Sequence, residues 1–218
     1  AIQEELKEFR EEAKNFEINF AKENPSALIS VMLLERFQQT KEVPDNEIDA
    51  IFEALTPQLK NTAAAKRIKA SADKNKVTAI GSKAPDFSAP TPTGESLALK
   101  DALGKITIVD FWAGWCRPCR AENPNLVNIY TKYKDSGLKI LGVSLDKTKE
   151  EWTEAIAADG LEWNQVSNVQ YFDEIAKLYN VNAIPAMFIL DENGVIIAKD
   201  LRGEALENKI AELLGATL

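Results

Sequence analysis

The sequence predicts an α/β protein in which an all-helical N-terminal region precedes a mixed central sheet with helices on both faces. Three observations carry that prediction. Residues 1–76 hold helical periodicities and no strand pattern. After Gly81, runs of β-branched and aromatic residues alternate with helical runs. Near the end, Asn193-Gly194 links two such runs, the pairing that favours a hairpin turn. The chain is therefore read as a helical region, 1–76, and a sheet-containing domain, 77–218.

In the first region, Ile2, Leu6, Phe9, Ala13, Phe16 and Phe20 follow the 4-3 spacing of a heptad seam on an otherwise charged segment. Asn24-Pro25-Ser26 breaks that helix. A second helix is predicted over 26–40, with Leu28, Val31, Leu34 and Phe37 on or near one face. After Val43-Pro44-Asp45, residues Ile48, Ile51, Phe52 and Leu55 give another amphipathic face. The Ala- and Lys-rich stretch 57–76 ends without large apolar residues and reads as a helix fraying into a linker. The seam must be covered, since each phenylalanine left in water forgoes roughly 1.5–3 kcal/mol. Packing within the chain is the expected cover, so the protein is read as a monomer, with a weak homodimer as the alternative.

In the second region, Pro85, Pro90, Pro92 and Gly94 punctuate a turn-rich lead-in. Residues 106–112 form an apolar run of strand length, as do 138–145. Between them, 116–133 has helical spacing at Leu126, Ile129, Tyr130 and Tyr133. Short helices are expected over 153–158 and 172–179, strands over 186–190 and 195–199, and a closing helix over 204–214.

Composition narrows the chemistry. The formal charge of −8 and pI of about 4.8 disfavour nucleic acid, which needs a basic face. With no histidine, neither a Ser-His-Asp nor a Cys-His arrangement can be built. Two cysteines cannot supply a four-thiolate metal site. No metal and no cofactor are expected. No run approaches the roughly 18 apolar residues of a membrane span. The chain opens at Ala1 inside a charged helical pattern, which reads as a trimmed start.

The cysteines stand as Trp115-Cys116-Arg117-Pro118-Cys119, after a predicted strand and at the start of a predicted helix. The unpaired amides and dipole of a helix N-terminus favour a thiolate at Cys116. Cys119 lies one turn along and can attack a mixed disulfide formed at Cys116. Cys116 is therefore expected to be the exposed nucleophile. Pro118 removes a donor that the first helical turn does not use, and Trp115 can shield the sulfur on one side. A purely structural disulfide is the competing reading, but so short a loop stabilises little by chain entropy.

These strings resemble a known family. Ala84-Pro85-Asp86-Phe87, Val109-Asp110-Phe111-Trp112, the run from Cys116 to Pro124, and Ala183-Ile184-Pro185 together are similar to the TlpA- and ResA-like thioredoxin-fold disulfide reductases of bacterial cell envelopes. The resemblance covers about residues 81–214. It implies a thioredoxin-like fold and thiol–disulfide oxidoreductase activity through a redox-active Cys116–Cys119 pair. It implies disulfide-containing protein substrates and a thiol electron donor that can be membrane-embedded. It also implies a periplasmic or cell-envelope location, with a lipid anchor supplied by a missing N-terminal segment.

By position, the resemblance makes Pro185 a cis-proline facing the active site. Ile184 then offers its backbone to an extended substrate, and Trp115 and Pro185 are expected to bind it too. Asp110 matches a buried acid that moves protons for the second cysteine, and Glu122 an acid held close to the active site. Pro124 matches a helix kink. One departure stands out. The neighbouring strand, Ile140-Leu141-Gly142-Val143, lacks the lysine that partners this acid in thioredoxin, so any raised pKa of Asp110 is expected to rest on burial alone. Trp152 and Trp163, in an insertion over 147–169, are read as core in preference to a substrate groove. Two other functions stay open: a redoxin-type thiol peroxidase, whose Pro- and Thr-framed cysteine is missing here, and a non-catalytic binding module.

Overall fold

The structure is a computed structural model that describes residues 2–40 and 42–215. It divides into two compact units, residues 1–75 and 76–218.

The first unit is helical: α1 (Ile2–Glu23), α2 (Leu28–Thr40), α3 (Asp45–Ala54), the single turn α4 (Pro57–Lys60) and α5 (Ala63–Val77), whose last residues pass the division. Its core joins Ile18 and Ala21 of α1 to Val31, Leu34 and Phe37 of α2, to Ile48, Ile51 and Phe52 of α3, and to Ala65 and Ile68 of α5. Surface ion pairs lace the helices, among them Glu17–Arg36 and Glu35–Arg67; such exposed pairs contribute about 0–1 kcal/mol each.

Two expectations fail here. Residues 63–77 do not fray into a linker; they form a regular helix. Ala and Lys are strong helix formers, and burial of Ala65 and Ile68 supplies the tertiary anchor. The heptad seam is not covered by the chain either. Phe9 and Phe16 are 68% and 71% exposed, Leu6 and Ala13 are exposed as well, and Phe20 is half-buried. The side chain of Ile2 lies outside the described residues. Helix α1 uses a different stripe, centred on Ile18 and Ala21, because that is the one facing α2 and α3.

The second unit is built on a five-stranded sheet in the order β5-β4-β3-β6-β7. The strands are β3 (Ile106–Trp112), β4 (Leu138–Ser144), β5 (Asn164–Val166), β6 (Ala186–Asp191) and β7 (Ile196–Lys199). Strands β3, β4 and β5 run parallel; β6 is antiparallel to β3, and β7 to β6. An antiparallel pair, β1 (Ser88–Pro90) with β2 (Ser96–Ala98), precedes the sheet. The helices are α6 (Arg117–Tyr133), α7 (Lys149–Asp159), α8 (Glu174–Leu178) and α9 (Gly203–Leu214).

Strand alternation sorts the apolar residues into two cores. Ile106, Ile108 and Trp112 face the layer of α6, α7 and α9, meeting Leu126, Ile129, Leu206 and Ile210. Val109 and Phe111 face the other way, against Phe87, Ile175 and Tyr179. All seven residues of β3 are buried, as a strand covered on both faces requires. Trp152 and Trp163 belong to the first of these cores, so neither lines a groove. The β6–β7 hairpin turns through Asn193 and Gly194, with Gly194 at a φ of 75°. The Asp191 carboxylate accepts from the amides of Asn193 and Val195 and fixes the turn.

Candidate active site

Strand β3 ends at Trp112 and α6 begins at Arg117, so the cysteine motif is the loop between the central strand and its helix. Cys116 is the N-cap of α6, and its sulfur accepts from the amide of Cys119 at 3.3 Å. The sulfur thus sits where the helix amides converge and where its dipole favours negative charge. Pro118 lies in the first helical turn, where its missing N–H costs no hydrogen bond.

Cys116 and Cys119 are joined in a disulfide, with Cα atoms 5.3 Å apart. In this oxidised form Cys116 is only 3% exposed and Cys119 2%. The expected exposed nucleophile is therefore covered while the bond is intact, and both sulfurs belong to the core beneath α6. Trp115, beside them, is 47% exposed.

The loop ahead of the cysteines is anchored from below. Asp146, fully buried, accepts the Gly114 amide with both carboxylate oxygens at 3.0 Å. The Ser144 hydroxyl donates to the same carboxylate at 2.8 Å. Arg120 of α6 donates to the Gly114 carbonyl and is paired with Asp159 of α7, which also accepts from Asn123. A Cβ on Gly114 would stand 2.9 Å from that of Ala155, so glycine is needed for the close approach of α7.

Asp110 lies on β3 between Ile108 and Trp112, and alternation turns it toward the α6 side. It is 3% exposed and its pKa is raised to about 7. Burial is the main cause. The charge of Glu122 raises it further and that of Arg202 lowers it, so burial does not act alone as the sequence suggested. Asp110 pairs in register with Gly142, which confirms that no lysine stands opposite it. The Gln165 side chain fills the space that a side chain at position 142 would need. Its amide oxygen accepts from the Trp112 indole at 3.0 Å.

Glu122 is half-buried on α6. Its carboxylate accepts from the Gly203 amide at the start of α9 and from Asn125, both at 2.8 Å. Ile184-Pro185 is cis, and the Pro185 carbonyl accepts from the Arg202 guanidinium at 2.7 Å. Arg202 therefore touches the cis-proline segment and acts electrostatically on Asp110, a link that no local pattern announces. Among the described residues, no group of three or more His, Cys, Asp or Glu is placed to hold a metal ion.

The comparisons with known proteins agree with this geometry. Residues 80–199 match the AhpC/TSA family. The chain is 31% identical over 135 residues to the thiol–disulfide oxidoreductase ResA of Bacillus thuringiensis subsp. konkukian, covering 62% of this chain and 76% of that protein. It is 37% identical over 118 residues to the thioredoxin-like protein YneN of Bacillus subtilis, covering 53% and 68%. Among solved structures, the thioredoxin domain of a thiol–disulfide oxidoreductase from Bacteroides vulgatus superposes with a TM-score of 0.59 at 38% identity, covering 62% of this chain and 98% of that domain. With a capped cysteine pair at the end of the central strand and these relatives, the chain belongs to the AhpC/TSA family and, within it, to the thioredoxin-fold thiol–disulfide oxidoreductases that include ResA.

Proposed function

We propose that this oxidoreductase works as a reductase of protein disulfides, with Cys116 as the attacking sulfur. The observation that carries the reading is the capping geometry: the Cys116 sulfur, and not that of Cys119, faces the first-turn amides of α6. In the reduced enzyme the Cys116 thiolate attacks one sulfur of a substrate disulfide. That bond breaks, one substrate sulfur leaves as a thiolate and takes a proton, and the other stays on Cys116. The Cys119 thiol then gives its proton to the Asp110 carboxylate and attacks Cys116. The second substrate thiol is released, and the enzyme is left as the Cys116–Cys119 disulfide. Two electrons have passed to the substrate, and a thiol donor must restore them.

With a pKa near 7, Asp110 can take up and return a proton at neutral pH. Burial raises that value, Glu122 and Arg202 adjust it with opposite signs, and the Ile184-Pro185 backbone receives the substrate segment. The family resemblance supports an envelope or periplasmic setting, where disulfides persist and need a dedicated reductant. Among the described residues, no helix is long and apolar enough to cross a membrane. A weak homodimer through the exposed α1 seam is the favoured oligomer, supported by its heptad spacing and by the exposure of Phe9 and Phe16.

Trapping tests the reading. Cys119→Ser should hold substrates on Cys116 as mixed disulfides identifiable by mass spectrometry, whereas Cys116→Ser should hold none. Equal trapping by both variants would reverse or erase the assignment. Unchanged resolution rates in both Asp110→Asn and Glu122→Gln would remove these acids from the proton path.

A further inference from the structure

The exposed aromatic residues of the second unit, among those described, are Trp115 and Tyr171. Their rings touch at a tilt of 42°, with centroids 5.5 Å apart, and Trp115 directly precedes Cys116 in the chain. Tyr171 is 51% exposed, with Phe172 edge-on to its ring at 4.8 Å and the Lys147 ammonium 5.0 Å from its centre. Exposed large apolar residues are normally scattered singly; here two aromatic ones are in contact, one of them adjoining Cys116 in the chain.

The segment carrying Tyr171 is held in an unfavourable backbone. Val169 and Phe172, on either side, have φ of 54° and 43°, a region that β-branched and bulky side chains rarely enter. A continuous hydrogen-bond chain ties this segment to the cysteine loop. The Val169 amide donates to the Ser167 hydroxyl, which donates to the Ser144 carbonyl. The Ser144 hydroxyl donates to Asp146, and Asp146 accepts the Gly114 amide next to Trp115. The tilted ring contact of Trp115 with Tyr171 closes the circuit. The backbone segments that carry both rings are thus tied together before any substrate arrives, which lowers the ordering cost of binding.

We propose that Tyr171, with Trp115, forms a docking shelf for an aromatic or large aliphatic side chain flanking the cysteine under attack. The occupant is an extended segment of the substrate protein. Its disulfide lies at Cys116, one neighbouring side chain lies on the shelf, and its backbone runs toward Ile184-Pro185. The inference rests on the reading of Cys116 as the attacking sulfur. Tyr171 is a specificity-determining residue here and takes no part in bond making.

The test uses the full chain, reduced beforehand, and two disulfide peptides that differ only in having Phe or Gly beside the cysteine. The wild type should show kcat/KM about tenfold higher for the Phe peptide. Tyr171→Ala should bring the ratio close to one through a higher KM for the Phe peptide, and Tyr171→Phe should retain the preference. Equal rates for the two peptides in the wild type, or an equal loss on both in Tyr171→Ala, would overturn the shelf while leaving the reductase reading intact. Failure of the wild-type dithiol to reduce either peptide would overturn both.

Discussion

The two units treat their apolar surface in opposite ways. The first leaves Leu6, Phe9, Phe16, Leu28, Ile29 and Met32 exposed along two helices. The second buries most of its large side chains on one face of its sheet or the other, and among the described residues its exposed aromatics are Trp115, next to Cys116, and Tyr171 in contact with it. A helix can rotate to bury any stripe that its neighbours accept, so a periodic pattern does not compel burial. A strand has two faces, and a slip by one residue would invert them all. Exposed apolar residues on a helix are therefore weaker evidence of a site than exposed aromatics beside the sheet.

The largest expected effect separates the units by function. Cys116→Ser should abolish disulfide reduction, with at least a thousandfold loss in an insulin or peptide-disulfide assay. Measurable turnover in that variant would place chemistry outside the motif.

Next is Asp110, the strongly perturbed acid of the sheet unit. Its folded pKa near 7 lies above the roughly 3.9 of an unfolded aspartate. The folded state therefore keeps its proton longer, and stability falls as pH rises from about 4 to about 7, then levels off. The span corresponds to about 4 kcal/mol as an upper figure. Asp110→Asn should remove that fall and leave the oxidised protein more stable than wild type at pH 8, measured by denaturant unfolding at several pH values. An unaltered pH profile would show that the acid is not destabilising in the fold. The same variant should resolve mixed disulfides more slowly, so stability and rate should move in opposite directions.

A core truncation probes the helical unit. Leu34→Ala removes a fully buried side chain and should cost about 2–5 kcal/mol in the first unit. Amide exchange in α2 and α3 should quicken while the redox rate constant stays at its wild-type value. A parallel loss of protection in β3 would show that the units unfold together.

The smallest effect belongs to the seam. Phe9→Asp combined with Phe16→Asp changes side chains that are 68% and 71% exposed, so thermal stability of the monomer should shift by no more than about 0.5 kcal/mol. Light scattering over a concentration series should show weak self-association of the wild type disappear in the variant. A large loss of stability would instead mean that these rings are covered within the chain.

Much of the site could be read locally. The strand before the cysteines, the helix after them, Pro118 in its first turn and the acid embedded in β3 are neighbours in sequence, and their spacing states their relation. The missing groups arrive from afar. Gly114 and Asp146 are 32 residues apart, and Glu122 and Gly203 are 81. An acid after a buried strand is a faint signal for Asp146; nothing near Arg202 or Tyr171 marks them as site residues.

What the sequence determined by itself was what short-range periodicity and covalent order govern: the four longer strand runs, 106–112, 138–145, 186–190 and 195–199, and where the helix dipole meets a sulfur, but not the short β1, β2 and β5. These follow from geometry within a few residues. What only the tertiary structure decided was which helical stripe is buried, whether residues 63–77 hold as a helix, and which distant charges reach Asp110. Those depend on neighbours brought together by packing. Burial can turn a weak helix into a stable one, leave a heptad seam in water, and hold a carboxylate's pKa near neutral, and none of that is written in local spacing.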